Sequence, residues 1–520
     1  MKKLLTLFVA VLLVLTATVT MLSLVSCGTE PGGQNNPGGT KPNGPNGGQN
    51  NSEERIPLDV PEKNYETSTG KTPFNILEWS VDNQNTAGQS WIPWEEGHVE
   101  EEDGDMLAAA VFDRNAWVEE EFGVEISKEY VSLNGSPNFM QRVTTNASTS
   151  ANEFQLLTLR TLEIFTLVQE EMYFDMNTYK DTILHTDKPW WVQDSVKSFT
   201  LGSHLYVAST EMLLRDKGAT ATLYFNQTLA KDYEDLPNFF KLVDDMEWTL
   251  EEMQLASEMV AHSNDGDDEM NSTEDIWGCF GGDDAVYYMF NAFGYKFAHI
   301  DNFGYVEYDY GSTDSIKVMQ DIFLDFMYSD HYFNLEVNKS MLEDRQHLFA
   351  EGKALFNSGL VKETTTKLKN MENLYGILPH PMLNEDQESY SSLVWVHHDS
   401  SVGIPAHTAD HEMSAIILEA MSWESYYSVY PTFYETILLN RAAKDEDSKR
   451  MLQVIFQTRS YDPGQYYDPG SYASGLHGGE GLLRLSGTGN ADIAGMWARF
   501  EDTVKLNMQK VNGWIAGNEG

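Results

Sequence analysis

Hydrophobic and polar positions follow two patterns in the first part of the folded region. The segments 73–79, 124–130 and 154–160 are short and mix apolar with polar side chains without a helical spacing, which is typical of strands. Apolar residues recur at helical spacing over 105–122, and a polar helix is predicted over 138–152. The order of strand, helix, strand, helix and strand predicts a parallel sheet that is covered by helices on both faces.

The rest of the chain continues the α/β pattern with more helices than strands, and it contains no internal repeat. Further strands are predicted at 205–209, 219–226, 353–358, 374–379 and 401–405. Further helices are predicted at 249–263, 285–293, 314–328, 341–352, 411–425 and 493–514.

The N-terminus carries the pattern of an export signal. Two lysines precede an apolar run over 4–14, and a looser segment leads to Cys27. Leu-Val-Ser at 24–26 stands directly before that cysteine, and this ending resembles the lipobox of bacterial lipoproteins. The resemblance implies cleavage after Ser26 and a lipid anchor on Cys27, in which each buried methylene contributes about 0.8 kcal/mol. The alternative is an uncleaved signal anchor, because the apolar run is long enough to span a membrane.

We therefore predict a lipoprotein signal peptide over 1–26 and a lipid-anchored, flexible linker over 27–72. Residues 28–51 are mainly Gly, Pro, Asn, Gln and Thr, and such a composition cannot bury enough apolar surface to fold. The linker would hold a globular body at the outer face of the cell.

Charge and cysteine content argue against a nucleic-acid-binding protein and against a protein stabilised by disulfides. The formal net charge is -46, from 80 acidic and 34 basic residues, so the phosphates of a nucleic acid would be repelled. Cys27 and Cys279 are the only cysteines, and acylation of Cys27 would leave no disulfide. An exported body without disulfides depends on its core for stability. No second apolar run reaches membrane-spanning length.

Five short motifs occur in the body in a definite order. They are a helix ending in Glu-Phe-Gly-Val within 112–126, Leu-Tyr-Phe-Asn-Gln at 223–227, Trp-Thr-Leu-Glu-Glu-Met at 248–253, Glu-Gly-Lys-Ala-Leu-Phe at 351–356 and Tyr-Gly-Ile-Leu-Pro-His-Pro at 375–381. Their order resembles that of the extracellular solute-binding proteins of ABC importers, in the branch of maltose-binding protein. Gln227 departs from the family pattern, which usually has lysine at this place.

The resemblance implies an α/β fold with two lobes, the type II fold of periplasmic binding proteins, joined by crossing segments near 210–218 and 380–392. A ligand that contacts both lobes would favour the closed state over the open one. The family resemblance also implies that the transmembrane subunits of an ABC permease recognise the closed form, and we expect a monomer. The predicted boundaries are 73–212 with 391–430 for lobe I and 213–390 with 431–520 for lobe II.

Aromatic residues that helical packing does not require are candidates for ligand contact. In α/β sheets ligands sit beyond the carboxyl ends of strands, so Trp79 and Arg160 should point into the cleft. Aromatic faces stack on the C–H faces of sugars, while polar side chains bond the hydroxyls. The predicted ligand-binding residues are Trp79, Trp91, Arg160, Trp191, Trp277, Tyr288 and Trp395. Each tryptophan could instead be core packing, and Arg160 could pair with an acidic neighbour.

An acidic loop over 264–275 resembles the calcium loops of many relatives. A calcium loop needs glycine at its sixth place, and here Gly266 comes too early relative to Asp275. A solvated acidic turn is therefore preferred, with Asp265, Asp267 and Asp275 as weak candidates for calcium ligands.

Two histidine pairs, at 397–398 and at His407 with His411, raise the question of a metal site. The second pair has no third ligand and lacks the residue order of zinc proteases, so turn histidines are the preferred interpretation. We expect no cofactor.

The sequence indicates a binding protein and not an enzyme. Its runs of glutamate are typical of solvated surfaces, and no nucleophile elbow, phosphate loop or Cys/His pair is present. The predicted function is capture of a carbohydrate, and an oligosaccharide in particular, for an ABC importer. One alternative is a surface protein that degrades or adheres to glycans, and another is a peptide-binding receptor.

Overall fold

The computed structural model describes residues 55–80, 96–97, 105–132, 138–264, 266, 270, 274–282, 284–309, 312–334, 345–439, 446–467 and 492–518. The predicted signal peptide, Cys27, the linker up to residue 54, Trp91, Asp265 and Asp267 lie outside these residues. All elements below belong to the unit Ile56–Gly520. Within the described ranges, no helix combines the length and the hydropathy needed to cross a membrane.

The strands of this unit are short, apart from those at the start of the chain. In chain order they are β1 (Thr72–Ser80), β2 (Val124–Ser132), β3 (Leu156–Leu159), β4 (Thr200–Leu201), β5 (His204–Leu205), β6 (Ala221–Asn226), β7 (Trp277–Gly281), β8 (Ala298–Ile300), β9 (Val306–Tyr308), β10 (Tyr332–Asn334), β11 (Ala354–Leu360), β12 (Tyr375–Leu378), β13 (Ser392–Leu393), β14 (Ser401–Gly403) and β15 (Arg459–Ser460).

Helices connect and cover these strands. They are α1 (Met106–Phe122), α2 (Phe139–Thr149), α3 (Thr161–Gln169), α4 (Gln193–Phe199), α5 (Arg215–Gly218), α6 (Gln227–Ala230), α7 (Phe239–Asp244), α8 (Leu250–Val260), α9 (Ala285–Ala292), α10 (Thr313–Asp321), α11 (Arg345–Ala350), α12 (His411–Tyr427), α13 (Val429–Leu439), α14 (Glu446–Gln457), α15 (Pro463–Tyr466) and α16 (Ile493–Asn518). Short 3-10 helices lie at Met176–Tyr179 and Val361–Thr364, and a π-helix at Ile322–Met327 continues α10.

The first sheet has the strand order β14-β3-β1-β2, with β1, β2 and β3 parallel and β14 antiparallel to β3. This is the parallel sheet that the first three strand segments predict. The turn from α1 into β2 depends on Gly123, which has φ 67° and donates its N–H to Glu119 O at 3.1 Å. A Cβ atom there would also lie 2.4 Å from Asn64 Oδ1, so glycine is required on both counts.

The second sheet has the order β10-β7-β11-β6-β12. Strands β7, β10 and β11 are parallel to one another, whereas β6 is antiparallel to both β11 and β12. The sequence predicts β6, β11 and β12 but no strand at β7. The reason for glycine is close packing: a Cβ atom on Gly278 would lie 2.7 Å from Ser257 Cα in α8.

Three segments run between the two sheets, and we call them crossings. The first crossing (206–220) leads from β5 to β6, the second (379–400) from β12 to β14, and the third (457–462) from α14 to α15. The first two run antiparallel, since Ala208 pairs with Val402 and Thr220 with Val394. The third joins them because β15 pairs with β13. The predicted crossings at 210–218 and 380–392 fall within the first two segments.

The C-terminal helices cover both sheets. Helices α12 and α13 pack against α1 beside the first sheet, while α14 packs against α7 and β12 of the second sheet. Helix α15 contacts α3, and α16 contacts β9 and α10. The predicted lobe boundaries stay a prediction.

Candidate ligand site between the two sheets

Trp79 and Arg160 lie together where the first sheet ends. Trp79 is near the carboxyl end of β1, and Arg160 follows β3 as the N-cap residue of α3. The Arg160 guanidinium lies 5.9 Å from the centroid of the Trp79 ring. Arg160 is also paired with Glu163, with Nε 2.8 Å from Glu163 Oε2, as the alternative interpretation of its sequence position anticipates. The Trp79 indole donates to Ser400 Oγ at 2.8 Å, which connects β1 to the second crossing.

Tyr288 and Trp395 form a second aromatic group, next to the second sheet. Their ring centroids are 5.6 Å apart in an edge-to-face arrangement, and both rings are buried. The Tyr288 hydroxyl donates to Asp284 Oδ2 at 2.8 Å. The His380 ring is 5.8 Å from Tyr288, and its Nε2 is 2.8 Å from Ser358 Oγ of β11. Burial lowers the pKa of His380 to about 3, so this ring is neutral at pH 7.

Residues 397–399 of the second crossing connect the two groups. The His397 ring lies 4.9 Å from that of Trp395. Burial lowers the pKa of His397 to about 4; the Arg160 charge adds to this effect, and Asp284 opposes it. The histidine therefore interacts with one charged residue from each group. Burial also lowers the pKa of His398 and raises that of Asp399 well beyond their ordinary ranges.

Trp191 and Trp277 contact residues that do not belong to the two aromatic groups. Trp190 and Trp191 donate their indole N–H groups to the two carboxylate oxygens of Glu419, at 2.8 and 2.9 Å. Burial raises the pKa of Glu419 to about 7 despite these hydrogen bonds. Trp277 is part of β7 and packs edge-on against Phe333, with centroids 4.9 Å apart. Both tryptophans are buried, and ligand contact by either one stays a prediction.

Buried charges that the sequence analysis did not identify lie beside Trp79. Arg215 of the first crossing donates to the Trp79 carbonyl at 2.6 Å and to Glu78 Oε1 at 3.2 Å. Its backbone N–H also bonds the Glu96 carboxylate, and Arg114 Nη2 donates to the Glu96 carbonyl at 2.9 Å. Burial raises the pKa of Glu96 to about 7, although Arg215 opposes this. Glu78 is the only charged residue of β1, and this was the available sequence signal.

A second set of buried charges joins the first crossing to the third. Arg459 Nη2 donates to Glu211 Oε1 at 2.8 Å, and Arg459 Nη1 donates to Asp216 Oδ2 at 2.7 Å. Lys217 Nζ lies 2.8 Å from Glu211 Oε2. All four side chains are at most 8% exposed. Burial alone would raise the pKa of Glu211, but Lys217 and Arg459 outweigh it and hold that pKa below its ordinary value.

The candidate metal ligands that the structure describes contact other residues. Asp275 is buried, and its Oδ1 accepts the backbone N–H of Asn264 at 2.9 Å. The His411 ring stacks on Phe174, with centroids 4.2 Å apart. Among the residues that the structure describes, no group of three or more His, Cys, Asp or Glu side chains could hold a metal ion. Calcium binding by the 264–275 loop stays a prediction.

Solved structures resemble this chain over most of its length. The cyclo/maltodextrin-binding protein in complex with maltotetraose is 12% identical, with 87% of this chain and 98% of that chain covered and a TM-score of 0.50. An ABC substrate-binding protein from Listeria monocytogenes in complex with cycloalternan is 10% identical, with 86% and 99% covered and a TM-score of 0.48. Extracellular solute-binding protein family 1 from Alicyclobacillus acidocaldarius subsp. acidocaldarius is 9% identical, with 86% and 100% covered and a TM-score of 0.49.

No protein-family model and no curated protein sequence matches the chain. At 12% sequence identity, the similarity to the cyclo/maltodextrin-binding protein establishes the fold alone. The molecule is an α/β protein with the two-lobe fold of the maltose-binding type, which confirms the predicted fold class and, for the fold, the resemblance carried by the five motifs.

Proposed function

We propose that this chain is a solute-binding protein of an ABC importer, which captures a carbohydrate between its two lobes and delivers it to the permease. The observation that supports this proposal is the position of Trp79 with Arg160 and of Tyr288 with Trp395. The first pair lies at the end of the first sheet, and the second pair lies next to the second sheet. The second crossing connects the two pairs. Sugar-binding sites combine aromatic faces with a few placed polar groups, and both are present here.

The polar groups near the aromatic rings suit an uncharged ligand. His380 and His397 are neutral at pH 7 because burial lowers their pKa values. Arg160 is paired with Glu163, which offsets its charge. Neutral donors and acceptors match sugar hydroxyls, and a solved structure of the same fold is described in complex with maltotetraose. We therefore favour an oligosaccharide over an anionic solute or a peptide.

The mature protein would be a monomer, anchored by lipid on Cys27 at the extracellular face of the cell membrane. The export signal, the lipobox-like ending and the linker up to residue 72 support this part of the proposal. Permease subunits would recognise the closed form, in which a ligand contacts both lobes.

The test is a thermal-shift screen of residues 52–520, which include the whole unit that begins at Ile56. The panel contains maltotetraose, cellotetraose, xylotetraose, mannotetraose and tetraalanine, and isothermal titration follows each positive result. A sugar at 100 times its Kd should stabilise the folded protein by about 2.7 kcal/mol. The sugar recovered after binding should have its original length, because a binding protein does not hydrolyse it. Stabilisation by tetraalanine alone, or shortened products, would contradict the proposal, as would no stabilisation by any sugar.

Two tryptophan variants connect the binding to the site. Trp395→Phe should weaken sugar binding because it removes part of a ring beside Tyr288. Trp423→Phe is the matched control, since this indole donates to the Ile56 carbonyl at 2.7 Å, packs against Trp117, and is not one of the predicted ligand residues. Equal loss of affinity in both variants would argue against the assigned site.

A further inference from the structure

Asp399 is a fully buried carboxylate in the candidate site. It lies in the second crossing, directly before Ser400, which accepts the Trp79 indole N–H. In the part of the chain that is described, neither carboxylate oxygen has a hydrogen-bond partner. Burying a polar group without a partner is costly, and folded proteins retain few such groups. An unpaired carboxylate at this place therefore needs an explanation.

Tyr466 of α15 is the second unpaired polar group at the same place. Its side chain is 2% exposed, and its hydroxyl has no hydrogen-bond partner among the described residues. The ring packs against Phe199, with centroids 5.0 Å apart. Tyr466 and Thr161, which is next to Asp399, line the same cavity. Burial raises the pKa of Tyr466, and the charge of Asp399 raises it further. The polar atoms come from the second crossing and from the helix that follows the third.

The donors around Asp399 are bonded to other groups. Burial raises the pKa of Asp399 more than the Thr161 hydroxyl beside it lowers that pKa, and the same hydroxyl is 2.8 Å from Ser401 Oγ. Arg160 pairs with Glu163. The Tyr461 hydroxyl lies within 3.3 Å of Asp216 Oδ2, to which it donates. Glu96 and Asp216 also face Asp399, and as acids they disfavour its charged form. Among the described residues, no donor is therefore bonded to its oxygens, and a bound ligand would supply one.

We propose that Asp399 and Tyr466 bind the ligand directly, with the two oxygens of Asp399 holding adjacent hydroxyls of one sugar ring. This inference rests on the proposed function and adds residues that the aromatic pattern does not identify. A sugar with a vicinal diol presents two neighbouring O–H donors, which match the paired oxygens of a carboxylate. Trp79, which is bonded to the residue after Asp399, then provides an apolar face beside the same ring.

The test compares Asp399→Ala, Asp399→Asn and Tyr466→Phe with the wild type, by titration with each oligosaccharide of the panel. We expect Asp399→Ala and Tyr466→Phe each to lower the affinity about tenfold, which corresponds to one lost hydrogen-bond contribution. Asp399→Asn keeps the shape and should lose less. The melting temperature without sugar should stay the same or rise in each variant, because a buried unpaired group is removed.

The matched control is Tyr173→Phe. The Tyr173 hydroxyl is also buried without a partner in the described chain, but its ring packs against Gly403 at the far end of β14. This variant should leave the sugar affinity unchanged. Unchanged affinity in all three site variants, with or without a change in melting temperature, would overturn the inference. In that case Asp399 and Tyr466 would have a structural role or would bind a buried water. If the wild type binds no sugar, the proposed function fails, and this inference fails with it.

Discussion

The first and second crossings both bury carboxylates, but among the described residues only those of the first crossing are paired with basic side chains. In the first crossing, Glu211 and Asp216 share Arg459, and Lys217 completes the set at 2.8 Å from Glu211. In the second crossing, Asp399 is equally buried, and its oxygens have no hydrogen-bond partner within the described ranges. Paired buried charges position segments relative to one another, whereas an unpaired buried carboxylate in the candidate site can accept hydrogen bonds from a ligand.

This difference suggests that the crossings have separate roles. The first and third crossings would form a stiff joint, because any displacement of Arg459 removes one basic partner from two buried carboxylates and leaves them with Lys217. The second crossing would recognise the ligand, because it carries Trp395, His397 and Asp399 between the two aromatic groups. Four substitutions test this contrast.

The largest effect is expected from Arg459→Met. It removes one of the two basic partners that Glu211 and Asp216 share within the described residues, the other being Lys217. Removing one partner from a buried ion pair typically costs about 3–5 kcal/mol. Urea denaturation at pH 7 measures the loss. Arg450→Met is the matched control, since Arg450 also contacts two carboxylates but is exposed, and it should cost about 0–1 kcal/mol. Equal losses in the two variants would refute the stiff joint.

Glu419→Gln should change the pH dependence of stability. Folding raises the pKa of Glu419 from its ordinary 4.5 to about 7, so the folded state binds more protons than the unfolded state between these values. The contribution of Glu419 to stability therefore falls as pH rises through this window, by on the order of 2 kcal/mol. Denaturation from pH 5 to 8 should show a shallower decline in the glutamine variant. Parallel curves would show that the indoles of Trp190 and Trp191 are sufficient partners for the charge.

Trp79→Phe should have a smaller effect. It removes the indole N–H that donates to Ser400 Oγ and leaves that buried hydroxyl without its donor, which costs about 1 kcal/mol. Ser400→Ala in the same background should restore part of the loss, because it removes the unpaired acceptor. A double-mutant cycle by urea denaturation gives the coupling. Independent effects of the two changes would mean that this contact does not hold β1 to the second crossing.

The smallest effect is expected from Ser414→Ala in α12. The Ser414 hydroxyl is buried and has no partner in the described part of the chain, but it lies outside the candidate site. Its removal should raise the free energy of unfolding by about 0–1 kcal/mol and leave sugar affinity unchanged. A change in affinity would show that unpaired groups do not mark the ligand site specifically.

The sequence by itself determined the elements whose signal is local. The parallel strands β1, β2 and β3 follow from short segments without helical spacing, α1 follows from its apolar stripe, and its end follows from Gly123. Trp79 and Arg160 could also be placed at one site, because both follow the rule for strand ends. The order of the five motifs was sufficient to predict the two-lobe fold.

Only the tertiary structure decided which polar groups are paired. Glu211 and Arg459 are 248 residues apart in the chain, and Trp191 and Glu419 are 228 apart, so no local pattern relates them. Strand β7 was missed because its glycines serve close packing on α8, which is a contact between distant segments. A hydrogen bond depends on distance and direction in space, and folding brings these donors and acceptors together through crossings that the periodicity of the sequence does not encode.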